Sequence, residues 1–215
     1  AALPLTVDTA APAAPTGVTV TDDVAPVTGA IAANGASNDN KPTFAGAAGS
    51  AEAGSTITVM DGATVLGTAV VAADGSWSVT PTTALADGAH SITTRATDAA
   101  GNVSPVSPAL ALTVDTAAPA APAAPTSTAP STNDNTPGIH IGVGLTDTPS
   151  LYVDGVKVPA TYDPVTGTLT PTTPLGDGVH QFTTTLTDAA GNESPQSAAL
   201  PLTVDTAAPA APTGV

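Results

Sequence analysis

No cysteine occurs among the 215 residues, so neither a disulfide nor a thiolate metal site can hold the chain together, and three scattered histidines do not make a zinc centre. Aromatic residues are only 2% of the sequence, with one Trp and two Phe, so any core has to be filled mainly by Ala, Val and Thr. Basic residues are scarcer still. Lys41, Arg95 and Lys157 stand against eighteen acids, giving a net charge of −15, which excludes the basic face that nucleic acid or an anionic membrane requires. No apolar run reaches the length of a membrane-spanning helix, so no direct membrane insertion of this segment is expected.

What the sequence does contain is self-similarity. AALPLTVDTAAPAAPTGV occupies both Ala1 to Val18 and Ala198 to Val215, and VDTAAPAAP occurs once more from Val114 to Pro122. The aspartates of these phrases, Asp8, Asp115 and Asp205, are spaced by 107 and then 90 residues, as expected for two unequal domains making one turn of a tandem array. The expected division is 1–8 as the end of a preceding repeat, 9–115 as a long domain, 116–205 as a short domain, and 206–215 as the start of the next linker. TPTTALADGAHSITTRATDAAGN at Thr80 to Asn102 aligns without a gap with Thr170 to Asn192 at an offset of 90. SNDNKPTF at Ser37 aligns with TNDNTPGI at Thr132 at an offset of 95, and TGVTVTDDVAPVTGAIAANGA is extra in the long domain.

Each domain reads as all-β. Short Val, Ile and Thr runs alternate apolar and polar, and Asp-Gly pairs at Asp61, Asp74, Asp87, Asp154 and Asp177 supply tight reversals between them. In the long domain the expected strands are A near Gly17 to Thr21, B at Pro42 to Ala47, C at Ser55 to Met60, D at Thr64 to Ala72, E at Ser76 to Thr80, F at Ala89 to Thr97, and G at Ala109 to Val114. Seven short strands per hundred residues predict two tandem immunoglobulin-like β-sandwich domains end to end, joined by a semi-rigid AAPAAP linker.

Topology then places the acids. Strand G exits at the pole opposite the FG loop, so Asp115 is expected to face the second domain's BC and FG loops, which carry Asp147, Asp188 and Asn192. The equivalent set at the preceding junction is Asp8, Glu52, Asp98 and Asn102. Oxygen-rich sets of this kind suit Ca2+, a hard cation that takes six to eight oxygens. A second set comprises Asp22 and Asp23 in the insertion, Asp39 and Asn40, Asp134 and Asn135, and Asp205, which would serve a following domain. TDAAGN also reads as a plain Asx turn with its Asn left-handed, and NDN as a turn before strand B. His90 and His180 read as surface residues, Trp77 as core, and no catalytic constellation is visible, so no enzyme is expected.

With its VDTAAPAAP linkers, TDAAGN loops, EAGS turn at Glu52 to Ser55 and DGSWSVTPTTALADG phrase, the chain resembles the bacterial immunoglobulin-like repeats of giant secreted adhesins. These include the biofilm-associated proteins and the extender regions of RTX-type adhesins. The resemblance implies a stalk at the bacterial cell surface, rigidified by calcium at its junctions and projecting an adhesive tip, with neighbouring domains of the same chain as partners and a monomeric fragment. EAGST becomes TDTPS at Thr146 to Ser150, a departure from the pattern. A glycan-binding module or an accessory linker of an extracellular hydrolase are the alternatives, the first disfavoured by the shortage of Tyr and Trp.

Overall fold

The computed structural model describes residues 6–211, and the chain divides between Ala117 and Ala118 into two units. Among the described residues every regular element is a strand. The first unit contains β1 (Thr19–Asp22), β2 (Gly29–Ala30), β3 (Ala36–Ser37), β4 (Thr43–Gly46), β5 (Thr56–Asp61), β6 (Thr64–Val70), β7 (Trp77–Val79), β8 (Gly88–Thr97) and β9 (Leu110–Val114). They form two sheets, ordered β2-β1-β4-β7 and β3-β9-β8-β5-β6. Ladders are antiparallel except for β3, which runs parallel to β9.

Period-two alternation decides what enters the space between the sheets. Ile57 and Val59 on β5, Ile92 and Ala96 on β8, and Leu112 and Val114 on β9 point inward, against Val20, Phe44, Trp77 and Val79 from the other sheet. The insertion is structural as well as acidic. It supplies β2, and Ile31 beyond it packs on the core while its amide donates to the Val20 carbonyl at 2.9 Å. Gly46 lets the indole approach, since a Cβ there would lie 2.2 Å from Trp77 Nε1 and 2.3 Å from Ser50 Oγ.

The second unit contains β10 (Ser131–Thr132), β11 (Ile139–His140), β12 (Thr148–Val153), β13 (Val156–Val158), β14 (Ala160–Asp163), β15 (Thr168–Pro171), β16 (Gly178–Thr187) and β17 (Leu200–Val204). Its sheets are β11-β15-β14 and β10-β17-β16-β12-β13. Two departures from the first unit stand out. Lacking the insertion, the A region contributes only an isolated bridge from Thr126 to His140. The D region is split, because Pro159 has no amide to donate: β13 pairs with β12 in one sheet and β14 with β15 in the other. The core is smaller, with Phe182, Ile139, Leu151, Leu169, Leu202 and Val153 buried.

Candidate functional site

The FG loop follows from its sequence. Asp98 Oδ1 accepts the amides of Ala100 at 2.9 Å and Asn102 at 2.8 Å, while Oδ2 accepts Asn102 Nδ2 at 2.8 Å. The bond from the Asn102 side chain, with those from backbone amides, lowers the Asp98 pKa from the usual carboxylate range. Gly101, at φ +92, makes the left-handed step, so the expectation of a left-handed Asn is corrected: with a β-carbon-free residue one position earlier, Asn102 has no need of that conformation. Asp188 repeats the arrangement, with bonds of 2.9 Å from Ala190 N, Asn192 N and Asn192 Nδ2, and Gly191 at φ +97.

Around the first loop the structure gathers the acids expected at that pole. Asp8, Glu52 and Asp98 line one cleft of about 400 Å³ together with Thr6, Gly54 and Ser55, and Asn102 Nδ2 donates to the Asp8 carbonyl at 3.1 Å. Ser55, missed in the sequence although it closes the EAGS phrase, is buried there and its Oγ has no hydrogen-bond partner. An orphaned hydroxyl beside three carboxylates fits an oxygen-coordinated cation. Among the described residues no three acidic or His side chains are grouped tightly enough to hold a metal ion as they stand, so occupancy requires a turn of the exposed Glu52 side chain, or carbonyls and water.

The other set is divided between the units. Asp115 lies in the first, at the end of β9, where its amide donates to the Ser37 carbonyl at 3.0 Å and its Oδ1 accepts Ala117 N at 3.0 Å. Val114 is paired with Gly88 at one end of β8, whereas Asp98 follows Thr97 at the other, roughly 30 Å away at 3.3 Å per residue. Strand G therefore does exit opposite the FG loop. In the second unit, Asp188 and Asn192 are joined in their turn, and Asp147 Oδ1 accepts Thr146 Oγ1 at 3.3 Å. Glu193, adjacent to that turn, is engaged elsewhere: its Oε1 accepts Thr185 Oγ1 at 2.6 Å and Tyr152 Oη at 2.8 Å.

At the lower pole of the first unit, Asp22 and Asp39 are 5% and 4% exposed and share Ser37. Ser37 Oγ donates to Asp22 Oδ2 at 2.6 Å and accepts the Asp39 amide at 3.1 Å. The remaining oxygens accept Val24 N, Lys41 N at 2.7 Å and Asp23 N at 3.4 Å, so backbone amides compensate two buried like charges. Asp23 itself is exposed, and the Asn40 carbonyl accepts Leu85 N at 2.8 Å. The second unit repeats only part of this: Thr132 Oγ1 accepts the Asp134 amide at 3.0 Å, but Asp134 is exposed in a turn with Thr136, and the Asn135 carbonyl accepts Leu175 N at 2.7 Å. Asp205 repeats Asp115, with its amide on the Thr132 carbonyl and its Oδ1 on Ala207 N. Ser37→Ala is expected to destabilise the first unit by roughly 2 to 3 kcal/mol, because it strips a donor from a buried carboxylate. Urea unfolding followed by Trp77 fluorescence measures this, and a loss under 0.5 kcal/mol would contradict it.

Two sandwiches in series, each with its acidic loops at one pole, define the class as a tandem immunoglobulin-like protein. Residues 14–116 and 124–206 match the family described as Bacterial Ig-like domain, and the chain belongs to that family. Among solved structures, the fibronectin(III)-like modules of Clostridium thermocellum CbhA are similar at 16% identity and a TM-score of 0.52, over 86% of this chain and 93% of theirs. The BSP domain of a biofilm-associated protein is 20% identical with a TM-score of 0.30, over 82% of this chain and 30% of that one. A 1.5-MDa bacterial ice-binding adhesin is 21% identical with a TM-score of 0.38, over 78% and 58%. No curated protein sequence matches the chain.

Proposed function

We propose that this chain is a non-catalytic spacer of a bacterial surface adhesin, two sandwiches (9–115 and 116–205) in a stalk that calcium stiffens outside the cell. The supporting observation is the cleft that joins Asp8, from the phrase preceding the first sandwich, to Glu52, Asp98 and the orphaned Ser55 hydroxyl. Asp115, Asp147, Asp188 and Asn192 are its proposed counterpart at the following junction. Without the ion, acids of adjoining segments repel; with it, shared coordination replaces repulsion and restricts the hinge.

Melting the whole chain in 10 mM calcium and in EDTA, with small-angle scattering under both conditions, tests this. For a site Kd of about 0.1 mM, linkage supplies about 2.7 kcal/mol per site, a rise on the order of 10 °C for a domain of this size. Scattering should report a longer, stiffer particle with calcium. Glu52→Gln removes an exposed charge and is expected to weaken calcium binding about tenfold without lowering the EDTA melt, because it relieves repulsion when no ion is bound. Identical melts with and without calcium would end the proposal.

A further inference from the structure

Both units carry the same histidine arrangement, and it does not belong to the acidic clefts. His90 on β8 places Nδ1 2.7 Å from Asp61 Oδ2 and Nε2 2.8 Å from the Ala86 carbonyl. His180 on β16 places Nδ1 2.8 Å from Asp154 Oδ2 and Nε2 2.9 Å from the Gly176 carbonyl. The side chains are 11% and 17% exposed, so the expected surface position is corrected: each ring lies half-buried between the turn before the F strand and the CD hairpin. The carboxylates are themselves fixed, since Asp61 Oδ1 accepts Ser91 N at 3.1 Å and Asp154 Oδ1 accepts Gln181 N at 2.9 Å.

Chemistry follows from the acceptor count. A neutral imidazole has one N–H, and two acceptors face each ring, so only the imidazolium satisfies both contacts. Deprotonation sets a nitrogen lone pair against a carbonyl or carboxylate oxygen at hydrogen-bond distance. The residue after each carbonyl then extends the connection. Asp87 Oδ1 accepts the Thr116 amide at 3.1 Å and its hydroxyl at 2.9 Å, and Asp177 Oδ1 accepts the same groups of Thr206 at 2.9 and 2.8 Å. Thr116 and Thr206 directly follow the aspartates of the VDTAAP segments, where the chain leaves each sandwich.

We propose that His90 and His180 are protonation-gated bolts that, as imidazolium, fasten the turn before strand F and through it the root of the segment leaving each domain. The exit is held in mild acid and released as pH rises. Among the described residues no charge besides Asp61 and Asp154 faces these rings from the packed elements. Asp87 and Asp177 are turned to the threonines, the opposite strands present Leu112 and Leu202, and Phe182 meets His180 edge-on at 6.4 Å. Burial lowers the His90 pKa, but the bonds to Asp61 and Ala86 and the Asp61 charge outweigh it, and the net shift is upward. For His180 the Asp154 and Gly176 bonds outweigh burial, again raising it. A raised folded pKa contributes stability that is fully present below the unfolded value of about 6.5 and is lost as pH rises through the folded value.

Nuclear magnetic resonance of the whole chain between pH 5 and 9 tests this with an internal control. Both imidazoles are expected to titrate above about 6.5, with the Thr116 amide following His90 and the Thr206 amide following His180. His90→Gln should abolish the Thr116 transition and leave that of Thr206, and His180→Gln the reverse. Asp61→Asn, which keeps the ring in place, should lower the His90 midpoint by about one pH unit. Midpoints at or below 6.5, threonine amides indifferent to pH, or transitions that survive in the Gln variants would each overturn the proposal.

Discussion

Phe182→Ala is expected to unfold the second unit under conditions where the first remains folded. Phe182 is fully buried on β16, and the cluster around it has six buried apolar members, with no tryptophan and no second phenylalanine. Phe to Ala in a core costs about 3 to 5 kcal/mol through lost transfer energy and the cavity left behind. A unit of about a hundred residues has a total stability of only about 5 to 15 kcal/mol, and so lean a core puts this one toward the lower end. Neighbours such as Leu151 and Leu202 sit on strands pinned by their ladders and cannot collapse far into the hole. Calorimetry should separate two transitions, one displaced by 10 °C or more and one unmoved, at about 4 to 8 °C per kcal/mol. A single transition moving as a whole would show instead that the units unfold together.

Gly46→Ala is expected to damage the first unit almost as severely, and without removing an atom. Its Cβ would overlap Trp77 Nε1 and Cε2 and Ser50 Oγ, all belonging to buried residues. Trp77 cannot swing outward because Phe44, Val79 and Ile57 surround the same core, and Ser50 Oγ is held by its bond to the Gly75 carbonyl at 3.1 Å. Overpacking of this kind costs about 1 to 3 kcal/mol, with the upper end expected here because both obstacles are fixed. Trp77→Phe is expected to recover part of the loss, since it removes the obstructing nitrogen, which has no hydrogen-bond partner to lose. If the double variant is no more stable than Gly46→Ala in denaturant unfolding, the indole contact is not the cause.

Much of this fold was legible because its signals are local. Alternation from Ala89 to Thr97 located the F strand within one residue, and the TDAAGN phrase located both FG turns. The Glu52 cleft was readable for the same reason: three short motifs, each marking a turn, are brought to one pole by a topology that strand count already implied. The parts that were missed are decided by long-range partners. Nothing in KVPATYD says that its two halves join different sheets, because Pro159 forbids one pairing without naming the other. The histidines were misread because their carboxylate partners come from residues 29 and 26 positions away. Ser104 and Ser107 escaped notice too. Their hydroxyls accept the amides of Ala96 and Thr94, and those of Ser194 and Ser197 accept Leu186 and Thr184 in the second unit, partners 8 and 13 positions away.

The parallel pairing of β3 with β9 and of β10 with β17, the last strand of each domain, has a mechanical consequence. In the first unit the Thr113 and Asp115 amides bond to the carbonyls of Gly35 and Ser37; in the second, Thr203 and Asp205 bond to Pro130 and Thr132. Tension that reaches these short strands in opposite directions slides them past one another along their length, so both bonds of a pair carry the force at once and must break together. An antiparallel hairpin pulled from its open end would unzip one bond at a time at a much smaller force. Each exit strand is thus fastened in shear, so it leaves its sandwich only when both bonds of the pair break.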